Sequence, residues 1–386
     1  MSSPSPVPVA GRSYPSDTLI QILDPMGVEV APVPSDLTDE HLHDMLRLMI
    51  LGRSFDQKAI SLQRRGKLGT FAPMSGQEAI PVGSVFALDP ATDWVVPQYR
   101  EQLAMLHWGL AMSTYFLQRQ GHPAGATLPT THRLFPQQVA LAAHLPHAVG
   151  VAWGMKLKGE QSVAICYFGD GSSSEGDFHE SVNFAGVRKI PVIFVCQNNQ
   201  WAISTHVRQQ TAGSIADRAI GYGIVGEQVD GNDPLAVYDA TKRARARALA
   251  GQGPTLIEAV TYRLGAHTTA DDPTRYIDPA EAESWKLRDP LIRFRNWMRS
   301  TGRWGDEDEV LAEKWCEAEI DRAVEGVADA GPPDPMALLR NVYGDDEPLT
   351  LKRQRAELTE FLAAVEADRA ANSPDSSAGG SAAGVR

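Results

Sequence analysis

A strand–helix–strand pattern between residues 162 and 199 constrains the fold more than any other feature of the chain. The runs SVAICYF and PVIFVCQ are short and apolar, as expected of strands buried on both faces of a parallel sheet. Between them, SSEGDFHESVNFAGVRK has the length of a helix and places Phe178, Val182 and Ala185 on one face. This stretch is therefore predicted to form a βαβ unit.

Small polar residues directly follow both predicted strands. Asp170 lies in Gly-Asp-Gly after the first strand, and Asn199 lies in Asn-Asn after the second. Ligands of an open parallel sheet bind beyond the carboxyl ends of its strands, so the two side chains are expected to converge. Carboxylate, amide and carbonyl oxygens suit Mg²⁺, which usually keeps positions for phosphate oxygens. The pattern predicts a Mg²⁺-diphosphate site, although a tight turn and an ordinary loop would use the same residues.

The rest of the chain alternates further strand and helix candidates, which predicts an α/β fold with a doubly wound, mostly parallel sheet and helices on both faces. A strand is expected over residues 255–264. Helices are predicted as a pair over 35–68, capped by Ser35 or Thr38, and over 76–88, 101–118, 233–250, 307–330 and 349–371. The predicted division is a flexible N-terminal arm (1–34), a ligand-binding domain with helical additions (35–345), a C-terminal helix (346–371) and a disordered tail (372–386).

Charge and cysteine content narrow the class of protein. The net charge of −12 argues against a nucleic-acid partner or an anionic membrane surface. The cysteines Cys166, Cys196 and Cys316 are too widely spaced for a CxxC motif, and they fit a reducing, cytoplasmic location. Residues 134–155 lack acidic and basic side chains, but their prolines, glutamines and histidines indicate a buried loop and helix rather than a membrane span.

The spacing of GDG, 26 residues and NN resembles the thiamine diphosphate motif of the transketolase-like and 2-oxo acid dehydrogenase families. The segments FAPMSGQEA, YGIVGEQVDGNDPLAVY and GPTLIEAVTYRLGAHTTADDPTRY are similar to the alpha subunit of the decarboxylating component of 2-oxo acid dehydrogenase complexes. The resemblance extends over about residues 51–344. It implies the thiamine diphosphate-binding fold, with thiamine diphosphate and Mg²⁺ as cofactors.

The resemblance also implies roles for particular residues. Mg²⁺ would be held by the side chains of Asp170 and Asn199 and by the backbone carbonyl of Trp201. His267 would lie near the diphosphate and the reacting centre, where it would orient the lipoyl acceptor or move protons. Contacts with thiamine diphosphate are implied for Tyr99, Arg100, Gly169, Gly171, Ser172, Asn199 and His267.

Some positions depart from the family pattern. Gln197 occupies a position where some branched-chain relatives have an arginine that contacts phosphate. Ala143 and His144 replace the threonine and glutamine that bind a structural K⁺ in some relatives, so no K⁺ is expected there. Thr268 and Thr269 lie where mitochondrial relatives carry regulatory phosphoserines, but regulation is not implied.

Only one half of a thiamine diphosphate site is recognisable. The cofactor also needs a binding site for its aminopyrimidine ring, with an activating glutamate. The resemblance assigns that site to a beta subunit. Glu78 is a superficial candidate for the glutamate, but its segment has no such role in the family. The chain is therefore expected to form an alpha–beta heterotetramer and to meet the lipoyl domain of an acyltransferase component. The 2-oxo acid substrate is either pyruvate, which is slightly favoured, or a branched-chain acid such as 2-oxoisovalerate.

Two other interpretations start from the same residues. Gly169, Gly171 and Gly176 superficially suggest a nicotinamide-dependent dehydrogenase, but their spacing misses the G-x-G-x-x-G fingerprint, and Asp170 would oppose a pyrophosphate. A scaffold subunit that has lost catalysis is the non-enzymatic alternative. The presence of Asp170, Asn199 and His267 argues against it.

Overall fold

The computed structural model describes residues 19–128, 132–340, 342–343 and 347–371. The chain divides into two compact units, Met1–Asp329 and Ala330–Arg386. The predicted tail at 372–386 lies outside the described residues, as does the first part of the predicted arm. The predicted domain border at residue 345 stays a prediction.

A parallel sheet forms the centre of the first unit. Its strand order is β1-β2-β3-β7-β6, and each neighbouring pair is parallel. The strands β4 and β5 form a separate two-stranded antiparallel ribbon. The bounds are β1 (Trp94–Val96), β2 (Ala164–Gly169), β3 (Val192–Asn198), β4 (Trp201–Ala202), β5 (Thr205–His206), β6 (Val225–Asp230) and β7 (Thr255–Val260).

Helices surround this sheet in the first unit: α1 (Asp39–Arg64), α2 (Ala79–Val85), α3 (Gln102–His107), α4 (Met112–Arg119), α5 (Leu145–Lys158), α6 (Gly176–Arg188), α7 (Arg218–Gly221), α8 (Pro234–Leu249), α9 (Pro279–Lys286), α10 (Pro290–Ser300) and α11 (Asp306–Asp329). The second unit contains α12 (Ala337–Arg340) and α13 (Leu349–Ala371). None of the described helices is long and apolar enough to cross a membrane.

The two faces of the sheet belong to two hydrophobic clusters, because successive strand side chains point to opposite faces. On one face, Ile165, Ile193 and Ile257 pack with residues of α1, α2, α8 and α10. On the other face, Phe168 and Phe194 pack with residues of α5 and α6. The predicted doubly wound fold is confirmed, and β2, α6 and β3 form the predicted βαβ unit.

Two helix predictions were wrong in detail. The predicted helical pair at 35–68 is the single helix α1, which begins after Thr38 with a capping box to His41. Gly52 does not break this helix, because it is buried against the Leu103 side chain. Conversely, the helix predicted over 101–118 is divided into α3 and α4, with Gly109 at a φ of 93° between them.

The flexible arm predicted over residues 1–34 is not what the structure has at residues 19–34, which are packed against the sheet. The Leu23 side chain is fully buried, and the backbone N–H groups of Ile22 and Leu23 both donate to Asp233 Oδ2 at 2.7 Å. Ile20 forms a parallel bridge with Val229 in β6. These contacts attach the segment to the sheet, whereas its Pro-rich sequence gave no strand signal.

Candidate active site at the carboxyl ends of the strands

A cavity of about 460 Å³ lies beyond the carboxyl ends of β1, β2 and β3, and the loop after β7 completes its wall. All the residues that the sequence assigned to cofactor, metal or catalysis line this cavity. They are Tyr99, Arg100, Gly169, Asp170, Gly171, Ser172, Asn199, Trp201 and His267. Four separate loops bring these residues together, as expected for a ligand site of an open parallel sheet. Their individual roles stay predictions.

The Gly-Asp-Gly turn leaves β2 directly and buries a carboxyl group in the cavity wall. Asp170 is 2% exposed, and its Oδ2 accepts a hydrogen bond from Gln210 Nε2 at 3.0 Å. Burial raises the pKa of Asp170 to about 6, because the charged form has lost its water. A Cβ on Gly171 would lie 2.8 Å from the Cβ of Ala202, so this turn has no room for a side chain. The turn is shaped for close approach of a ligand to its backbone.

The turn after β3 fixes the Asn199 amide from two sides. Its Nδ2 donates to Gln77 Oε1 at 2.9 Å, and its Oδ1 accepts from the Trp201 backbone N–H at 3.2 Å. The preceding residue anchors the turn to the sheet, since Asn198 Nδ2 donates to the buried Glu258 Oε1 at 2.7 Å. The amide orientation is therefore set in advance, and Oδ1 keeps a second lone pair for a cation.

The proposed metal ligands contain one carboxylate, that of Asp170. Asn199 and Trp201 would add an amide oxygen and a backbone carbonyl oxygen. In the described part of the chain, no group of three or more His, Cys, Asp or Glu side chains is arranged to hold a metal. A site with only three protein ligands fits Mg²⁺, which completes its octahedral coordination with phosphate oxygens and water.

Unpaired side-chain amides also face this region. Gln98 Oε1 accepts from the Gly169 N–H at 3.1 Å and from Ser172 Oγ at 3.4 Å, while its Nε2 is buried without a hydrogen-bond partner. Gln77 Nε2 is likewise buried and unpaired. Buried polar groups normally have partners, so these donors fit a bound group rich in acceptors, such as a diphosphate. The resemblance assigned cofactor contacts to Tyr99 and Arg100 of the QYR segment but no separate role to Gln98, which follows β1 after Pro97.

His267 lies between two arginine side chains. Arg100 Nη2 is 2.9 Å from His267 Nδ1 and donates to the His267 carbonyl oxygen at 2.8 Å. Arg263 Nη1 is 3.3 Å from the same Nδ1. Burial first, and then the charges of Arg100 and Arg263, lower the pKa of His267 to about 4. Guanidinium groups only donate, so Nδ1 accepts and the neutral ring carries its proton on Nε2. The sequence analysis gave Arg263 no role, because it placed this residue inside the strand expected over 255–264, whereas β7 ends at Val260 and Arg263 lies after it.

The loop that carries His267 has an internal hydrogen-bond network. Asp271 Oδ2 accepts from the His267 backbone N–H at 2.7 Å and from the Tyr276 hydroxyl. Tyr276 also accepts from Arg263 Nη2 at 2.7 Å. The backbone N–H of Thr269 donates to Phe71 O at 2.9 Å, which fastens the loop to the segment before α2. These hydrogen bonds hold the loop to itself and to the segment before α2.

Other histidines and acids of interest have structural partners. His144 is buried, and its Nε2 is 2.6 Å from the Tyr167 carbonyl oxygen. The expected lack of K⁺ at this segment stays a prediction. His179 pairs with the Tyr222 hydroxyl, outside the cavity wall. Glu78 accepts from Arg53 Nε at 2.7 Å and is also absent from the cavity wall, which agrees with its dismissal as an activating acid.

Comparison with known proteins decides the family. The family model described as "Dehydrogenase E1 component" matches residues 46–336. The chain belongs to this family. Among similar proteins, the pyruvate dehydrogenase E1 component subunit alpha of Bacillus subtilis (strain 168) is 44% identical over 338 residues, covering 86% of this E1 chain and 90% of that protein. The subunits of the same name in Bacillus cereus and Staphylococcus aureus (strain COL) are 43% and 44% identical, each over 87% of this chain and 91% of the relative.

Membership of the E1 family confirms the resemblance drawn from the GDG and NN motifs. It makes the chain part of the decarboxylating component of a 2-oxo acid dehydrogenase, and it implies thiamine diphosphate as the cofactor. The nicotinamide-dependent alternative finds no support. The similar proteins are named alpha subunits, which implies a second kind of subunit in their enzyme.

Proposed function

We propose that this E1 chain is the alpha subunit of a pyruvate dehydrogenase, which decarboxylates pyruvate and transfers the acetyl group to a lipoyl group of the acyltransferase component. The observation that carries the proposal is the convergence of Asp170, Asn199, Arg100 and His267 on one cavity. The preference for pyruvate over branched-chain acids rests on the names of the similar proteins.

The cavity residues suit the diphosphate end of the cofactor. Asp170, Asn199 and the Trp201 carbonyl would hold Mg²⁺, and the metal would hold the phosphate oxygens. Tyr99 and the backbones of Gly169, Gly171 and Ser172 would contact the diphosphate. Arg100 supplies positive charge beside the unpaired Gln98 amide. A guanidinium can donate two parallel hydrogen bonds to a phosphate group.

Bound thiamine diphosphate supplies an electron sink for the decarboxylation. The chain's own residues would orient it, with Ala72, Leu141, Ala202 and Ile203 forming apolar parts of the wall. Arg100 in the wall would attract the cofactor's anionic groups.

His267 is placed to move a proton toward the acceptor. Its proton lies on Nε2, because Nδ1 faces the two arginines. A phosphate group bound by Arg100 would offset part of that arginine's effect, which would raise the pKa of His267 from about 4 toward the working range of a general acid. The sulfur released when the lipoyl disulfide opens takes up one proton, and the proposed donor is the imidazolium form of His267, which would return to the neutral ring.

A beta subunit is needed to complete the site. The carboxyl groups in the cavity wall of the described chain are those of Asp170 and Glu101. Asp170 is assigned to the metal, and Glu101 already accepts a hydrogen bond from the Gln98 backbone N–H at 2.8 Å. The acid that activates the aminopyrimidine would therefore come from the second subunit, in an alpha–beta heterotetramer.

The proposal is tested by co-expressing the chain with its beta subunit and measuring Mg²⁺-dependent thiamine diphosphate binding by calorimetry. A panel of 2-oxo acids then identifies the substrate. Acetylation of a free lipoyl domain with pyruvate as the best substrate would support the proposal. Preference for 2-oxoisovalerate would overturn the substrate assignment, and lack of cofactor binding would overturn the function.

A further inference from the structure

Glu101 is a buried acid in the cavity wall for which the proposed function has no use. It is 1% exposed and lies between β1 and α3. Its Oε2 accepts from the Gln98 backbone N–H at 2.8 Å, and its Oε1 is paired with the Gln197 side-chain amide. Both partners are neutral, so no ion pair offsets the cost of burying a charge here.

The surroundings of Glu101 favour its uncharged form. Burial raises the pKa of Glu101 to about 7, while hydrogen bonds from its own loop and the charge of Arg100 act in the opposite direction. Tyr167 of β2 also interacts electrostatically with Glu101, and its hydroxyl bonds to Ser84 on α2. Arg100 is itself engaged with the Pro73 carbonyl and with His267. Mg²⁺ would balance much of the charge of a diphosphate in the same cavity, but a phosphate oxygen close to Gln197 would still disfavour a carboxylate on the other side of that amide.

Gln197 offers an acceptor for a protonated Glu101. Its Oε1 is buried without a hydrogen-bond partner. Turning the amide by half a rotation would place this oxygen toward Glu101 and the NH₂ group elsewhere in the cavity. A carboxylic acid O–H would then donate to Gln197 Oε1, and the freed Nε2–H₂ would become a donor for a phosphate oxygen.

We propose that Glu101 takes up a proton when the diphosphate of the cofactor enters the cavity, and that the protonated acid holds Gln197 as a neutral hydrogen-bond donor to that diphosphate. This inference rests on the proposed function, because it presumes that the cavity binds thiamine diphosphate. It makes Glu101 a positioning residue that acts through Gln197, and it makes cofactor affinity depend on pH.

The direction of this dependence follows from linkage. Near pH 8 the free protein has lost most of the Glu101 proton, because that proton is lost at a pH of about 7. Binding must restore it, so uptake rises from ~0.5 proton at pH 7 toward ~1 proton at pH 8. The affinity should fall as the pH rises above 7, by at most about tenfold per pH unit.

The experiment uses the full chain co-purified with its beta subunit and Mg²⁺-thiamine diphosphate as the probe. Calorimetry in buffers of different ionisation enthalpy gives the number of protons exchanged on binding. Glu101→Gln copies the neutral acid, so it should lose the excess uptake and bind roughly tenfold more tightly than wild type at pH 8. The control Glu40→Gln, at an exposed position of α1, should match wild type.

A second variant covers the case in which Glu101→Gln fails to fold. Gln197→Arg places a cation beside Glu101, which keeps it ionised and should likewise abolish the uptake. Equal proton uptake in wild type and in the folded variants would overturn the inference while leaving the proposed function intact. Failure of wild type to bind the cofactor at any pH would overturn the proposed function, and the inference with it.

Discussion

Gln77 and Asn199 are 122 residues apart in the chain, yet the Asn199 Nδ2 donates to Gln77 Oε1 at 2.9 Å. A residue before α2 therefore fixes the amide of a proposed metal ligand that follows β3. The order of the site depends on a loop that does not itself provide the ligand.

Gln77→Leu should weaken Mg²⁺-dependent cofactor binding. It would remove the acceptor that orients the Asn199 amide, and it would also remove the Gln77 Nε2 donor from the cavity wall. With about 1–3 kcal/mol lost, binding should weaken by about tenfold to a hundredfold. Calorimetry on the assembled enzyme measures this. The matched control is Gln57→Leu at an exposed position of α1, and equal affinities for the two variants would refute the positioning role.

Asp170→Asn should have a larger effect, because it removes the carboxylate from the proposed metal ligands. Loss of supporting partners of metal sites costs 10–100-fold in affinity, so loss of a direct ligand should cost at least ~100-fold. The measurement is a titration of Mg²⁺ at fixed thiamine diphosphate. Asp306→Asn removes an exposed carboxylate and is the control. An unchanged Mg²⁺ requirement in Asp170→Asn would remove Asp170 from the ligand set.

The purified alpha chain alone should show little or no decarboxylation of any 2-oxo acid, because it lacks the half that activates the aminopyrimidine. Adding the beta subunit should restore turnover. Carbon dioxide release can be followed with both preparations at the same chain concentration. Robust turnover by the single chain would mean that an activating acid is present in it after all.

His267→Ala should separate decarboxylation from acyl transfer. Metal binding through Asp170 and Asn199 should persist, and some decarboxylation with an artificial electron acceptor should remain. Transfer to the lipoyl domain should fall by about 10²–10⁴-fold if the proton from Nε2 is lost. Both assays are run on one preparation, with circular dichroism as the folding control. A parallel fall of both rates in a folded variant would place the role of His267 with the cofactor instead.

The lowered pKa of His267 also predicts how the cofactor-free protein responds to acid. The folded state resists protonation of this ring until about pH 4, whereas the unfolded state takes the proton near the ordinary value of 6.5. The unfolded state thus binds more protons in that window, so stability falls as the pH drops from 6.5 to 4. Urea titrations should show a weaker dependence over this window in His267→Gln. An identical slope in both proteins would argue against the buried, neutral ring.

The sequence predicted the centre of the fold well, because β2 and β3 are continuous apolar runs buried on both faces. It did not reveal β6, an edge strand that contains Glu227, Gln228 and Asp230 and has neither an apolar run nor a regular alternation. The nine predicted site residues do share one cavity. Gln98 and Arg263 were missed because contacts of both depend on residues distant in the chain, such as Gln98–Gly169 and Arg263–Ile203, which are 71 and 60 residues apart. Short-range patterns do not carry such contacts.

The bridge between Ile20 and Val229 has a counterpart at the opposite side of the sheet, where Leu134 bridges Val95 in β1. Ile20 exchanges backbone hydrogen bonds with Gln228 and Asp230, and Val95 exchanges them with Arg133 and Phe135. At these points the outermost strands do not present free N–H and C=O groups to which a foreign strand could add. Edge-to-edge pairing of the sheet with a second copy of the chain is therefore blocked at these two points.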